Sequence, residues 1–432
     1  MTMANSSVAD DARLSLEHGG DDLPEALQIP TKAASPGFQL LLSLANMVIW
    51  LSILPIGQIL LPTQIAALNG ANKFSYLTIA TVVGVLAAVI TNPIAGALSD
   101  RTTSRLGRRR PWFIAGTVFS VVTLALMANA TSFVALVIWW GIFHIAANAV
   151  LAGLSAVVPD QVPVRQRATV SAFVSLSLPL GAVIGALLVT RVVNSTQLSY
   201  YTFIGALLIV MVLFLLVLRD KPLPKGAAPR FNLGAFLAGF WVNPVKYPDF
   251  GWAWITRFLV YLGYFTSLGY LLYFLQDAVH YQKAAQGVTT FQIILTGTLL
   301  IASVSSGMLS DKFQRRKIFV MGASLVIALA FLILAFFQTW PAVELAAAVL
   351  GIGFGAYLGV DIALITQLLP SANARGKDLG IINIANAFPQ IVGSTIAALV
   401  INAFHSYTIL FVLAAILTSL GAVLVQRIKS VR

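Results

Sequence analysis

The chain has no cysteine among its 432 residues, which excludes disulfides, thiolate metal sites and thiol nucleophiles. Charge is scarce: Asp, Glu, Lys and Arg make up 10% of the sequence, against about a quarter in a soluble domain. There are four histidines and no His cluster of metal-ligand spacing, no glycine-rich nucleotide loop and no continuous polar pore motif. Metal-dependent catalysis, nucleotide hydrolysis and channel function have little support. What the sequence has instead is apolar mass, 58% hydrophobic residues with a mean hydropathy of +0.88. A water-soluble chain this apolar could not cover its surface, so the reading is an all-α integral membrane protein. The net charge of +12 sits in short loops between apolar runs. That is a topology signal and argues against a nucleic-acid partner.

Residues 1–36 differ from the rest. Six acids (Asp10, Asp11, Glu17, Asp21, Asp22, Glu25) and two bases (Arg13, Lys32) are scattered among Gly, Pro and Ser. This composition buries too little apolar surface to fold, and a disordered tail is expected. It lacks the basic n-region and short apolar core of a cleavable signal. Twelve apolar segments then follow, each near the roughly 20 residues that span a bilayer. They run over 38–62, 75–98, 112–130, 132–157, 168–192, 200–218, 251–277, 288–309, 317–338, 341–368, 378–403 and 407–426. The loops after the even-numbered segments are basic, as in Arg101, Arg105, Arg108, Arg109 and Arg110 after the second. The opposite loops hold little beyond Lys73, Arg191 and Lys283. Both termini are therefore expected on the cytoplasmic face of a plasma (inner) membrane.

The chain also repeats. GALSDRTTSRLGRRRPW, Gly96 to Trp112, has a weaker partner in SGMLSDKFQRRK, Ser306 to Lys317. Asp100 and Asp311, Pro163 and Pro370, and Pro179 and Pro389 pair at nearly one offset. Two six-helix halves are expected at 37–218 and 251–426, joined by a linker at 219–250 and followed by a short tail at 427–432. Within the linker, Phe231 to Trp241 reads as an interfacial amphipathic helix. A two-fold repeat with a midplane site between halves is a secondary-transporter architecture.

The pattern G-x-L-S-D-R-T-x-S-R-x-G-R-R-R-P-W resembles the helix 2–3 loop signature of the major facilitator superfamily. It is closest to the glycoside and sucrose–cation symporter branch, which Asn92-Pro93 and Pro159-Asp160 also fit. The resemblance implies alternating access around a cavity lined by the first, fourth, seventh and tenth helices. It further implies that Asp100 latches onto the start of the eleventh helix near Arg375 and Lys377. By the repeat, Asp311 would face the start of the fifth near Arg165 and Arg167. A carboxylate at a helix N-terminus is stabilised by the dipole and free N–H groups. The expected gate is thus Asp100, Arg101, Arg105, Arg108, Asp311 and Arg315; the alternative is that these charges only set topology. In sucrose–proton symporters a membrane Asp and a sugar-binding Arg lie on the fourth helix. Here those positions fall on His144 and Ser155, while Asn148 and Asp160 match, which argues against sucrose itself.

Ionisable groups within the apolar segments are few and usually functional. Arg257 and Asp361 lie at similar depth from the basic face, so an Arg–Asp pair between the seventh and tenth helices is expected, either as a coupling element or as a static tie. Gly351, Gly355 and Gly359 recur every four residues as a packing face, and Asp361 points away from it. His144 is a second coupling candidate, as a proton carrier or as a neutral hydrogen-bonding residue. Tyr261 and Tyr264 share the face of Arg257 and offer rings and hydroxyls to a sugar. Gln58, Asn148, Asn383, Asn386 and Gln390 offer amides; their alternative role is interhelical hydrogen bonding. The functional expectation is a proton-coupled symporter for a sugar or glycoside-like solute. The competing classes are an exporter of amphipathic small molecules and a non-transport membrane protein. No enzyme activity and no cofactor are expected, only a proton or sodium as coupling ion. The expected partners are a small-molecule solute and the lipid bilayer, and the chain is expected to act as a monomer.

Overall fold

The computed structural model describes residues 30–193, 195–224, 248–313, 315–368 and 375–429; the side chains of 311 and 362–384 lie outside the description. Residues 1–29 of the tail expected over 1–36, and the expected interfacial helix at 231–241, also fall outside it, while Pro36 itself begins the first helix.

Helices begin where the local chemistry starts them. Ser35, Ser132, Ser195 and Ser406 each accept a backbone N–H of the first turn, from Phe38, Ala135, Leu198 and Ile409. Pro36 and Pro111 occupy first-turn positions where a missing N–H costs nothing. The spans are α1 Pro36–Leu68, α2 Gly70–Ser99, α3 Arg110–Ala128, α4 Phe133–Gln161, α5 Val164–Val192 and α6 Thr196–Val217. The second set is α7 Pro248–Leu268 with Leu271–Asp277, α8 Ala284–Phe313, α9 Arg316–Phe336, α10 Trp340–Leu368, α11 Arg375–Phe404 and α12 Tyr407–Leu424. Among the described residues, eleven helices are long and apolar enough to span singly, and α7 makes twelve as a pair bent by 42°. Three expectations need correction. The first span runs six residues past its expected end. The seventh breaks at Gly269-Tyr270. The expected linker yields its last three residues, from Pro248, to α7.

One packing plan is used twice. In the first half α1 packs on α5 and α6, α3 on α4 and α6, and α2 on α4. In the second half α7 packs on α11 and α12, α9 on α10 and α12, and α8 on α10. The halves meet through α2 on α11 and α5 on α8. Large apolar side chains point outward, among them Leu216, Ile301 and Met308, each at least 70% exposed. In water this would be an aggregation surface; against hydrocarbon chains it costs nothing.

The glycine face of α10 meets backbone. A Cβ on Gly351, Gly355 or Gly359 would lie 2.3–2.5 Å from a carbonyl oxygen of Leu295, Leu299 or Ser303 on α8. Only glycine permits this approach.

Candidate functional site

With its glycines turned to α8, α10 presents the opposite face to α7. The two run antiparallel in fixed register. Arg257 meets Asp361, Tyr261 meets Tyr357 and Tyr264 meets Phe354. Arg257 and Asp361 are 5% and 3% exposed, so the ion pair is held out of water. The Arg257 Nε also donates to Asn386 Oδ1 of α11 at 2.6 Å. Its guanidinium carbon lies 5.2 Å from the Tyr261 ring centroid. Tyr264 stacks on Phe354 at 4.3 Å between centroids. The guanidinium thus bonds a carboxylate and an amide from two other helices and lies against an aromatic wall. Such a group can exchange one hydrogen-bond partner for another when the carboxylate changes charge.

The other expected site residues are dispersed. Asn148 donates to the His144 carbonyl at 2.9 Å. His144 packs edge-on to Trp140, centroids 4.2 Å apart, over Gly84 of α2. Neither of its ring nitrogens has a hydrogen-bond partner among the described residues. It belongs to the α2–α4 seam, in the other half from Arg257. Gln58 lies in a π-helical turn, Ile56–Leu60, and Gln390 is half-buried on α11. Asn383 lies among the side chains outside the description. Two hollows lie at the end of the bundle remote from the basic loops.

At the basic end, Asp100 bonds Arg109 at 2.5 Å. Its expected partners, Arg375 and Lys377, and the Asp311 side chain are outside the description. Arg109 is the hub. It also bonds Ser99 and, at 3.0 Å, Asp160. Arg108 reaches Asp160 at 2.7 Å. Arg101 donates to the Ala97 carbonyl, whereas Arg105 and Arg315 are exposed. Asp220 accepts the backbone N–H groups of Arg109 and Arg110 at 2.6 and 2.7 Å, an anion on the first turn of α3. Gly107 turns the chain into this cluster with φ +110°, and a Cβ there would lie 2.3 Å from Asp220 Oδ2. The sequence reading missed Arg109 as hub, because nothing within a run of three arginines tells which of them turn inward, as Arg108 and Arg109 do.

It also missed the far end, where the halves are clamped. Lys73 of α2 bonds both carboxylate oxygens of Asp277, at the end of α7, at 2.7 Å. Its ammonium lies over the Phe74 and Tyr273 rings at 5.1 and 4.9 Å. Tyr407 donates to Asp277 at 2.9 Å and Tyr273 to the Pro62 carbonyl at 2.9 Å. Tyr270 meets Thr78 and donates to the Ser394 carbonyl. The available signal was an acid, Asp277, at the same end of the bundle as the few cations Lys73, Arg191 and Lys283.

Two bundles built on one packing plan, clamped at one end, with a buried ion pair inside one of them, have the architecture of a membrane transporter. The Major Facilitator Superfamily model matches residues 39–305 and 253–431, and the chain belongs to that superfamily. It is 26% identical to the MFS transporter asaE of Aspergillus flavus over 334 residues, 73% of this chain and 69% of that protein. It is 26% identical to the general alpha-glucoside permease of Schizosaccharomyces pombe over 159 residues, 32% of this chain and 29% of that protein. Its fold matches a crystal structure of the nucleoside transporter NupG with a TM-score of 0.71 at 16% identity, covering 91% of this chain and 100% of that one.

Proposed function

We propose that the chain is a proton-coupled symporter of a sugar or glycoside-like solute, acting as a monomer with both termini on the cytoplasmic side of the plasma membrane. The observation that carries this reading is the buried Arg257, bonded to both Asp361 and Asn386 beside the Tyr261 ring. A proton taken up by Asp361 removes the charge that holds the guanidinium. Arg257 and Asn386 are then free to bond solute hydroxyls, while the rings of Tyr261 and Tyr264 cover C–H faces. Loss of solute lets Arg257 re-form the pair and expel the proton. Sodium is the alternative ion, and His144 is a second coupling group. Gln58, Asn148, Asn383 and Gln390 are further solute contacts. At the basic end, the Asp100–Arg109–Asp160 cluster, with Arg101, Arg105, Arg108, Asp311 and Arg315, forms the gate that alternates with the far-end clamp. The likeness to an alpha-glucoside permease supports the solute class.

The aromatic rungs above the ion pair favour a second reading, export of amphipathic compounds whose rings would stack there. The deciding experiment is a panel of radiolabelled solutes offered to proteoliposomes with an imposed pH or sodium gradient. Accumulation of an α-glucoside that collapses with a protonophore is expected. No sugar accumulating under either gradient would overturn the symporter reading in favour of the exporter.

A further inference from the structure

A hollow of about 400 Å³ opens at the far end, across the seam between the halves. This is within the range of small-molecule sites, about 300–1,000 Å³. Two irregularities border it. Both α1 and α5 depart from α-helical geometry for a single π-helical turn, at Ile56–Leu60 and Leu188–Val192. Ile59 and Leu60 from the first turn, and Val189 and Thr190 from the second, line the hollow. Single π-turns widen a helix locally and recur at functional sites. Thr190 also joins the halves there, meeting Thr289 of α8 hydroxyl to hydroxyl at 2.9 Å.

The rim has unspent hydrogen-bonding capacity. Gln276 and Gln282 line the hollow and their side-chain amides make no hydrogen bond among the described residues, while Gln286 reaches the Thr190 carbonyl only at 3.5 Å. Tyr281 is held by face-to-face stacking on Trp340, centroids 4.1 Å apart, and turns toward the same space. Lys283 is the one charged side chain in the lining, and no carboxylate joins it. Amides around an apolar floor with a fixed aromatic match a ligand bearing many hydroxyls and apolar C–H faces. The absence of acids in the lining disfavours a cation, and one exposed lysine is a poor match for a strongly anionic ligand.

We propose that this hollow is an outer binding site for a neutral polyhydroxylated solute, distinct from the Arg257 site and available while the Lys73–Asp277 clamp is shut. The proposal rests on the solute class argued above. The site holds solute at the far end before the halves part, so it raises the local concentration without taking part in coupling.

The test is equilibrium dialysis of radiolabelled maltose against the full chain in lipid nanodiscs. Two sites per chain are expected, one of which is lost in the double variant Gln276→Ala, Gln282→Ala. Each amide removed is expected to weaken that site about fivefold, as for a single hydrogen bond. Asn386→Ala is expected to remove the other site and leave the rim site. Lys283→Gln is expected to bind maltose as the unaltered chain does; loss of the rim site there would make the lysine its anchor and overturn the assignment to the amides. Both glutamines are exposed, so the double variant is expected to keep its melting temperature. Binding unchanged in that variant would overturn the outer site and leave the symporter reading standing. No maltose binding at all would overturn the solute class itself.

Discussion

Tyr264 stacks on Phe354, and this contact sets the register of α7 against α10: two turns toward the basic end along the same seam, Arg257 meets Asp361. The aromatic rungs fix how far the two helices can slide, so the ion pair is held by packing as well as by charge.

Removing one partner of this pair leaves the other charge buried, at a cost of about 3–5 kcal/mol. Asp361→Asn and Arg257→Gln are each expected to lower the melting temperature in detergent and to abolish solute accumulation. The double variant Arg257→Met, Asp361→Leu is expected to regain most of the stability but none of the accumulation. Accumulation that persists in the double variant would make the pair a structural tie.

The far-end clamp is partly exposed, with Lys73 and Asp277 side chains at 18% and 34%, so its ionic part is worth only about 0.5 kcal/mol. Asp277→Ala also removes the acceptor of Tyr407. The expected result is a far end that opens two- to fivefold more often. Because the chain has no cysteine, a Thr78→Cys reporter can be followed with a membrane-impermeant maleimide. Faster alkylation in the Asp277→Ala background is expected, and an unchanged rate would mean that hydrophobic packing alone closes this end.

Gly107 combines a left-handed backbone with a carboxylate where its side chain would be. Gly107→Ala is expected to cost about 1–3 kcal/mol, read as a lower melting temperature. Adding Asp220→Ala relieves the crowding but not the backbone strain, and removes the anion from the start of α3. The double variant is therefore expected to stay below the unaltered protein.

Gly355→Ala places a methyl group against the backbone of α8, whereas Gly322→Ala on α9 meets nothing within 4 Å. The first is expected to destabilise by about 1–3 kcal/mol and the second to have no measurable effect. Fluorescence-detected size exclusion after heating distinguishes them.

Much of the fold was legible because bilayer chemistry is repetitive. Apolar length gave the spans, and three paired landmarks gave the repeat. Depth along each helix brought Arg257 to Asp361, and four-residue spacing gave the glycine face. The break at Gly269-Tyr270 was hidden because hydropathy is continuous across it. The amides were ambiguous for a physical reason: Asn386 bonds Arg257, Asn148 bonds its own helix, and nothing in residue type separates these fates. Lys73 and Asp277 are 204 positions apart, and their meeting depends on how α2 sits on α11, a relationship that no local pattern encodes.

The backbone contact between α8 and α10 has a mechanical consequence. Side chains can slip past one another by changing rotamer, but three glycines set against carbonyl groups leave no such slack. The two helices behave as one strut. A shift of Asp361 would be passed along this pair toward Thr289, where α8 touches the opposite half. A displacement inside one bundle would thus tug on the seam between both, with no intervening chain of side-chain rearrangements.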